Sequence, residues 1–264
     1  MCSAVIHSEE LKLTDWDRFI GLIESSSRIG VLTGAGISTL SGIPDFRSAG
    51  GIYSKKYGDL RVEDLLDIDF FMKHPEEFYS WARNGWYSNA EYRPNIVHES
   101  LRLMEEKGIL TDGIWTQNID SLDVHCGSKR VYELHGTLRT STCTVCGRSY
   151  TFKETRDRLK GQPYPKCDYC SGLLRPDIVF YGENLDSELL MRAYDTFSSV
   201  DLTIVLGSSL VVNPVASLPS VALQNGRKVV IVNRDKTYLD NRMSVIFRSL
   251  EEWGEKMYNF LQKC

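Results

Sequence analysis

Apolar side chains recur at near-helical spacing over residues 8–25, through Leu11, Leu13, Trp16, Phe19, Ile20, Leu22 and Ile23. This pattern predicts an amphipathic helix with one face packed on a sheet. Residues 29–32 form a short continuous apolar run that breaks into Thr33-Gly34-Ala35-Gly36-Ile37-Ser38. Such a run reads as a buried strand ending in a glycine-rich turn before a helix. Residues 201–206 and 228–232 are continuous β-branched or leucine runs, and 113–116 and 130–134 are shorter and partly apolar. Helical patterns at 94–107, 187–197 and 214–225 alternate with these strands. The alternation predicts an open, doubly wound parallel sheet of the α/β, Rossmann-like kind.

Two stretches break the alternation. Residues 48–92 are rich in aromatics, among them Phe70, Phe71, Phe78, Tyr79, Trp81 and Trp86, and read as a helical excursion. The other, 139–174, carries four cysteines. If each leaves from the carboxyl end of a strand, both lie at the edge where open α/β sheets bind ligands, so the cleft between sheet and insertions is the expected site.

The cysteines form two C-x-x-C pairs, Cys143/Cys146 and Cys167/Cys170, about 20 residues apart. Two tight turns that each present a pair of thiolates make a closed tetrahedral zinc site. Two disulfides would suit a small secreted domain, but the chain reads polar and acidic from Met1 to Asp17, without an apolar signal segment. A redox dithiol needs a single C-x-x-C at a strand-helix junction, whereas here two pairs flank a polar stretch. Cys2, Cys126 and Cys264 read as ordinary thiols.

Composition changes little in this picture. The 264 residues, 42% hydrophobic and 25% charged, are enough for a sizeable core. A net charge of −4 gives no general attraction to nucleic acid or an anionic membrane, local basic patches such as Lys55-Lys56 and Lys129-Arg130 aside. No run approaches the ~20 apolar residues that span a bilayer, which predicts a soluble, cytoplasmic protein.

Candidate chemistry concentrates at strand ends. Gly34-Ala35-Gly36 begins a dinucleotide fingerprint, since glycines let the backbone approach a pyrophosphate, but Thr39 stands three residues after Gly36 where a third glycine would be and no acid marks the end of a second strand. A tight strand-helix turn explains the same residues. Gly42-Ile43-Pro44-Asp45-Phe46-Arg47 gathers an acid, an aromatic and an arginine: Arg47 can pair a diphosphate and Phe46 can shield a reactive carbon, although an exposed Arg-Asp pair over a loop phenylalanine is the plainer account. Thr116-Gln117-Asn118-Ile119-Asp120 ends another strand in amides able to hold ribose hydroxyls or a carboxamide. His135, at a strand end and followed by Gly136, titrates near neutrality and can act as a general base. His7, His74 and His98 read as structural, and His125 stays open between the two.

In this order these motifs, with the four cysteines, Arg175-Pro176-Asp177-Ile178-Val179-Phe180-Tyr181-Gly182-Glu183 and Gly207-Ser208-Ser209-Leu210, closely resemble the sirtuins, the NAD-dependent protein deacylases, and within them the bacterial and archaeal type. The resemblance runs from Ile29 to Asn233. It implies a Rossmann-like NAD-binding domain (1–47, 93–138 and 175–264) and a small domain made of a helical module (48–92) and a zinc module (139–174). It implies cofactor contacts by Gly34, Ala35, Gly36, Thr39, Asp45, Phe46, Arg47, Gln117, Asn118, Asp120, Gly207, Ser208, Ser209 and Asn233, with catalysis by His135 and Asn118. Val179, Phe180 and a strand of Gly182, Glu183, Asn184 and Leu185 would clamp an extended acyl-lysine peptide by main-chain hydrogen bonds. The implied chemistry is loss of nicotinamide from an oxocarbenium-like centre, capture by the acyl oxygen, and deprotonation of a ribose hydroxyl by His135, in a tunnel kept free of water. Cys143, Cys146, Cys167 and Cys170 would hold a structural zinc without an open position. A mono-ADP-ribosyltransferase using the same cleft and a non-enzymatic NAD or zinc binder are the rival readings. Leu122-Asp123 replaces the Leu-His of many sirtuins, and Cys126 replaces a small alanine. Members that prefer succinyl or malonyl groups pair a tyrosine with an arginine three residues on. Here Ala82 stands three after Tyr79, which points to neutral acyl groups.

Overall fold

Alternate residues of the strand Ile29–Thr33 bury into two different cores. Ile29 and Val31 join a cluster with Phe19, Ile23, Leu101, Met104, Trp253 and Met257, while Leu32 faces Phe197, Val215 and Leu218. All five residues of the strand are buried, as expected of a parallel strand covered by helices on both faces. The computed structural model describes residues 13–88, 91–243 and 245–263. The strands among them are β1 (Ile29–Thr33), β2 (Lys56–Tyr57), β3 (Leu60–Arg61), β4 (Ile114–Thr116), β5 (Val131–Glu133), β6 (Gly136–Cys143), β7 (Ser149–Thr151), β8 (Leu174–Ile178), β9 (Leu202–Leu206), β10 (Lys228–Val232) and β11 (Ile246–Phe247).

Six of these form one parallel sheet in the order β11-β10-β9-β1-β4-β5. From β1 the chain builds outward to β4 and β5, then returns to β9 on the other side of β1 and builds outward again. The order therefore reverses between β1 and β9, and an open α/β sheet has its crevice at such a switch point. The doubly wound fold and its strands match the sequence reading.

Several elements differ at their edges, for local reasons. The first helix runs Asp15–Glu24 and not from residue 8, because a capping box fixes its start. The Asp17 N–H donates to Thr14 Oγ1 at 3.2 Å and the Thr14 N–H donates to the Asp17 carboxylate at 2.9 Å. Leu13 is left exposed before it. Residues 8–12, with Leu11, Cys2, His7 and Cys264, lie outside the described residues. After β1 the chain enters a 3-10 helix, Ala35–Ser41, where an ordinary helix was expected. The expected helix over 214–225 divides into a 3-10 turn, Val215–Ser217, and Leu218–Gln224.

The aromatic excursion forms helices Val62–Leu65, Ile68–Lys73 and Pro75–Asn84, together with the antiparallel pair of β2 and β3. The cysteine-bearing stretch is a three-stranded antiparallel sheet in the order β7-β6-β8 with the helix Phe152–Leu159. Its strands extend to Gly136 and Ile178, past the expected limits of 139 and 174, because β6 and β8 pair along their length from Cys143↔Leu174 to Gly136↔Ile178. The two insertions share one core: Phe71, Phe78 and Tyr79 pack with Leu138, Leu159, Ile178 and Phe180. Phe71 and Phe180 lie ring to ring with centroids 4.7 Å apart, a pairing that contributes about 1 kcal/mol beyond burial.

Candidate active site

The carboxyl ends of β1, β4, β5, β8, β9 and β10 open on one cavity of about 1010 Å³. At the switch point two glycine backbones approach closely. The Gly36 N–H donates to the Gly207 carbonyl at 2.8 Å, and the Gly34 N–H donates to Leu206 O at 3.0 Å. A Cβ on Gly36 would lie 2.7 Å from Gly207 Cα, so no larger residue fits. The result is a shelf of glycine backbone and small side chains formed by Gly34, Ala35, Gly36, Gly207, Ser208 and Ser209. A shelf of this kind admits a pyrophosphate close to the backbone.

Beside the shelf, Asn118 is buried. Its Nδ2 donates to Ser38 Oγ at 3.2 Å, Ser38 Oγ donates to Asp120 Oδ2 at 2.7 Å, and Asn118 Oδ1 has no partner. An unpaired buried carbonyl oxygen is costly, and a ligand N–H reaching it from the cavity relieves that cost. Gln117 Nε2 donates to Ser208 Oγ at 2.9 Å and joins the β4 end to the β9 end. Together the backbone shelf and the orphaned amide oxygen fit a dinucleotide that ends in a carboxamide.

His135 follows β5 and lines the same cavity. Its Nδ1 lies 3.0 Å from the Gln117 carbonyl oxygen. A carbonyl only accepts, so Nδ1 carries the proton and Nε2 keeps its lone pair. Burial pushes the His135 pKa below the usual imidazole value, and the Arg47 charge acts in the same direction against the bond to Gln117. The shift favours the neutral ring, the form a general base requires. Gly136 has φ +75, and a Cβ there would lie 2.2 Å from Asp177 O, so only glycine lets β6 leave directly behind the histidine.

Two expected cofactor residues are not among those lining the cavity: Thr39 is exposed outside it, and Asp120 stands behind Ser38 and Asn118. Thr39 Oγ1 donates to Gly36 O at 2.8 Å, and Asp120 accepts from Ser38 Oγ and from the Leu122 N–H at 2.9 Å. Asp120 thus orders Asn118 through Ser38, and burial raises its carboxyl pKa. Asp45, Phe46, Arg47 and Asn233 do line the cavity, as do Val179, Phe180, Gly182, Glu183, Asn184 and Leu185. The last four were expected to form a strand. They form a turn and an extended run before the helix at Ser187, with Gly182 at φ +90. Glu183 explains the turn: its Oε2 accepts from the Phe180 N–H at 3.0 Å and pairs with Arg175, so its carboxylate holds the turn's shape. Asp45 does similar work, accepting the Arg47 and Ser48 N–H groups at 3.1 and 2.8 Å.

Sequence reasoning did not single out Tyr53, Leu66, Val211, Val212, Asp235 and Lys236 as site residues, and all line the cavity. Val211, in the apolar run Leu210-Val211-Val212 after Ser209 and yet 59% exposed, is the one with a legible signal. Trp86 was noted only as part of the aromatic stretch.

The cysteines also converge. Cys143 and Cys170 Sγ are 3.4 Å apart, Cys146 and Cys167 Sγ 3.7 Å, and all four sulfurs lie within 4.8 Å of one another. Zn–S bonds of about 2.3 Å place tetrahedral sulfurs about 3.8 Å apart, so the four form a closed site for one structural zinc ion.

An open parallel sheet with a glycine shelf at its switch point and a zinc-stapled small lobe over its carboxyl edge defines an α/β dinucleotide-binding protein. A Sir2 family model matches residues 34–214. The chain is 46% identical over 223 residues to an NAD-dependent protein deacetylase of Thermotoga maritima, covering 84% of this chain and 88% of the relative. It is 41% identical over 226 residues to one of Staphylococcus aureus, covering 85% and 90%. Among solved structures it resembles a Sir2 with deacetylated p53 peptide and 3'-O-acetyl ADP ribose at a TM-score of 0.87 and 41% identity, over 94% of this chain and 98% of that one. A Sir2 bound to a propionylated peptide matches at 0.83 and 40%, with the same coverage. The chain belongs to the Sir2 family.

Proposed function

We infer that this protein is an NAD-dependent protein-lysine deacetylase that releases nicotinamide, the free lysine and O-acyl-ADP-ribose. The observation that carries this reading is the neutral His135, with its Nε2 lone pair available, on the same cavity wall as the glycine shelf and Asn118. When bound, NAD supplies an electrophilic ribose carbon and nicotinamide as the leaving group. The Ala35-Gly36 turn, through the Ala35 amide, and Arg47 would bind the diphosphate, and Ser208 and Asn233 would contact the adenosine half. Asn118 Oδ1 accepts from the carboxamide, and Asp120 keeps Asn118 in place through Ser38. Phe46 excludes water from the reacting carbon, where hydrolysis would compete with transfer. His135 Nε2 accepts a proton from a ribose hydroxyl.

The acyl-lysine of a protein substrate enters beside Val179 and the Gly182–Leu185 segment. Leu66, Trp86, Ile119, Ile178 and Phe180 line the cavity there without charge. The Tyr79 hydroxyl is turned away to Leu174 O, and Arg83 donates to Gln162 O, which supports neutral acyl groups over succinyl. Two cysteine pairs held as zinc thiolates support a reducing, cytoplasmic location, and the net charge of −4 supports protein and not nucleic-acid partners. The domain division at 47, 92, 138 and 174 is proposed with the two insertions acting as one lobe. We test the reading by nicotinamide release and peptide deacetylation on one acetyl-peptide, with His135→Ala alongside. The alanine variant loses deacetylation about 10²-fold or more; wild-type turnover without the imidazole would remove the general base. Label from NAD retained on the acceptor protein would favour ADP-ribosyl transfer instead.

A further inference from the structure

The loop that carries Phe46 and Arg47 is tied to the segment that follows β8 by two phenol groups. Tyr53 OH lies 2.7 Å from Tyr181 OH, across 128 residues of sequence. Tyr53 is bound to its own loop at three points. Its N–H donates to Phe46 O at 2.9 Å, its ring packs on Phe46 with centroids 5.2 Å apart, and the Arg47 guanidinium lies 5.1 Å above its centroid. Tyr181 is bound as firmly to the other side. Its N–H donates to Leu66 O at 2.8 Å and its carbonyl accepts from the Ile68 N–H at 2.9 Å, bridging to Asp67. Both tyrosines line the cavity, Tyr181 between Phe180 and Gly182 in the chain.

We propose that Tyr53 and Tyr181 are positioning residues which latch the cofactor loop to the peptide-binding segment, so that a residue on the peptide side sets the affinity for NAD. The physical reason is geometric. Phe46 and Arg47 sit on a loop, and the Tyr53 ring packs directly under both. With the hydroxyl pair made, the Tyr53 ring is fixed at both ends; without it, the loop keeps its own contacts and the packing of Ile52, Phe46 and Tyr53 on the shared core, but the ring beneath Phe46 and Arg47 is held less tightly and must be ordered when NAD binds. This inference rests on the proposed function, because it takes Arg47 and Phe46 as cofactor contacts and the 179–185 segment as the peptide clamp.

The test is a double-mutant cycle of Tyr53→Phe, Tyr181→Phe and the pair, read as KM for NAD and kcat with one acetyl-peptide, together with calorimetric binding of NAD to each protein without peptide. Phenylalanine keeps both rings and their packing. A lost hydroxyl-hydroxyl bond is expected to raise KM and Kd for NAD roughly two- to tenfold in each single variant. The pair should be no worse than either single, and kcat should fall by less than KM rises. Trypsin should also cut faster after Arg47 and Lys55 in all three variants than in the wild type, a readout that needs no turnover. If Tyr181→Phe leaves KM and Kd for NAD at wild-type values, or if the two single effects multiply in the pair, the latch is disproved. If the wild-type protein itself shows no NAD-dependent deacetylation, the functional reading fails, and the protease arm still decides whether the hydroxyl pair holds the loop.

Discussion

His135 Nδ1 stands 3.0 Å from the Gln117 carbonyl oxygen, and this one bond decides which nitrogen of the ring can act. The acceptor belongs to the peptide unit between Gln117 and Asn118, so β4 delivers both the tautomer lock for the base and the amide beside the cofactor site. Strand β4 also pairs with β1, whose end carries the glycine shelf. Base, amide and shelf are therefore held by adjacent strands of one sheet, the rigid kind of scaffold that keeps reacting groups within small tolerances.

The lowered pKa of His135, caused first by burial, means that the active neutral ring persists to lower pH than a solvated imidazole of about 6.5. In a profile of kcat/KM for the acetyl-peptide, the acid limb should have its midpoint below pH ~6.5. A midpoint clearly above that value would show that the ring is solvated or paired with an acid in the working enzyme.

Gly36→Ala tests the shelf. The added methyl meets Gly207 Cα at 2.7 Å, and backbone cannot rotate away as a side chain can. We expect a loss of about 1–3 kcal/mol in stability from the forced separation of β1 and β9. A rise in KM for NAD larger than any change in peptide KM should accompany it. Thermal unfolding and separate titrations of the two substrates measure the two effects, and an unaltered KM for NAD would place the pyrophosphate elsewhere.

Removing zinc should act through folding. With all four coordination positions taken by thiolates, the ion has no open site for substrate, and the binding energy of a structural ion is also folding energy. Under chelation, or in Cys167→Ser, activity should decay together with the circular dichroism of the small lobe. Immediate loss of turnover with the lobe still folded would assign the metal a part in the chemistry.

Asp123 should make stability depend on pH in an unusual direction. It is fully buried on the helix Leu122–Cys126, with Oδ1 unpartnered, and burial, helped by Asp120 and Glu133, pushes its pKa up to about 8. The unfolded carboxyl releases its proton near pH ~3.9. Between those values the folded state holds a proton that the unfolded state lacks, so this residue's contribution is greatest at low pH and is lost as pH rises through about 8. Asp123→Asn should therefore melt close to wild type below pH ~4 and increasingly above it as pH rises, by about 3 °C or more at pH ~9. Equal melting points for the two proteins at the alkaline end would mean that the charge is solvated after all.

The parts of the fold that could be read from residues in order are those fixed by short-range pattern. Runs such as Leu202–Leu206 and Lys228–Val232 are strands because β-branched and leucine side chains fill a surface covered on both faces. The cysteine spacing selected four thiolates, which do converge. Element edges were less legible. The Thr14 capping box cut the first helix short, although its Thr-x-x-Asp signature was present in the chain. Residues 182–185 were expected to be extended, but the Glu183 carboxylate folds back on the Phe180 N–H, and a side chain that bonds nearby backbone competes with strand formation.

The order of hydrophobic runs, the glycines that permit close backbone approach, the two cysteine pairs and the family motifs were determined by the amino-acid sequence alone, because each depends on residues close together in the chain. Tertiary structure decided the rest. It set the tautomer and depressed basicity of His135, the placement of Asp120 behind Ser38 and Asn118, the shared core of the two insertions, and the meeting of Tyr53 with Tyr181. These outcomes depend on distances between residues tens to more than a hundred positions apart. Local propensity carries no information about such distances; packing the two lobes around one cavity sets them.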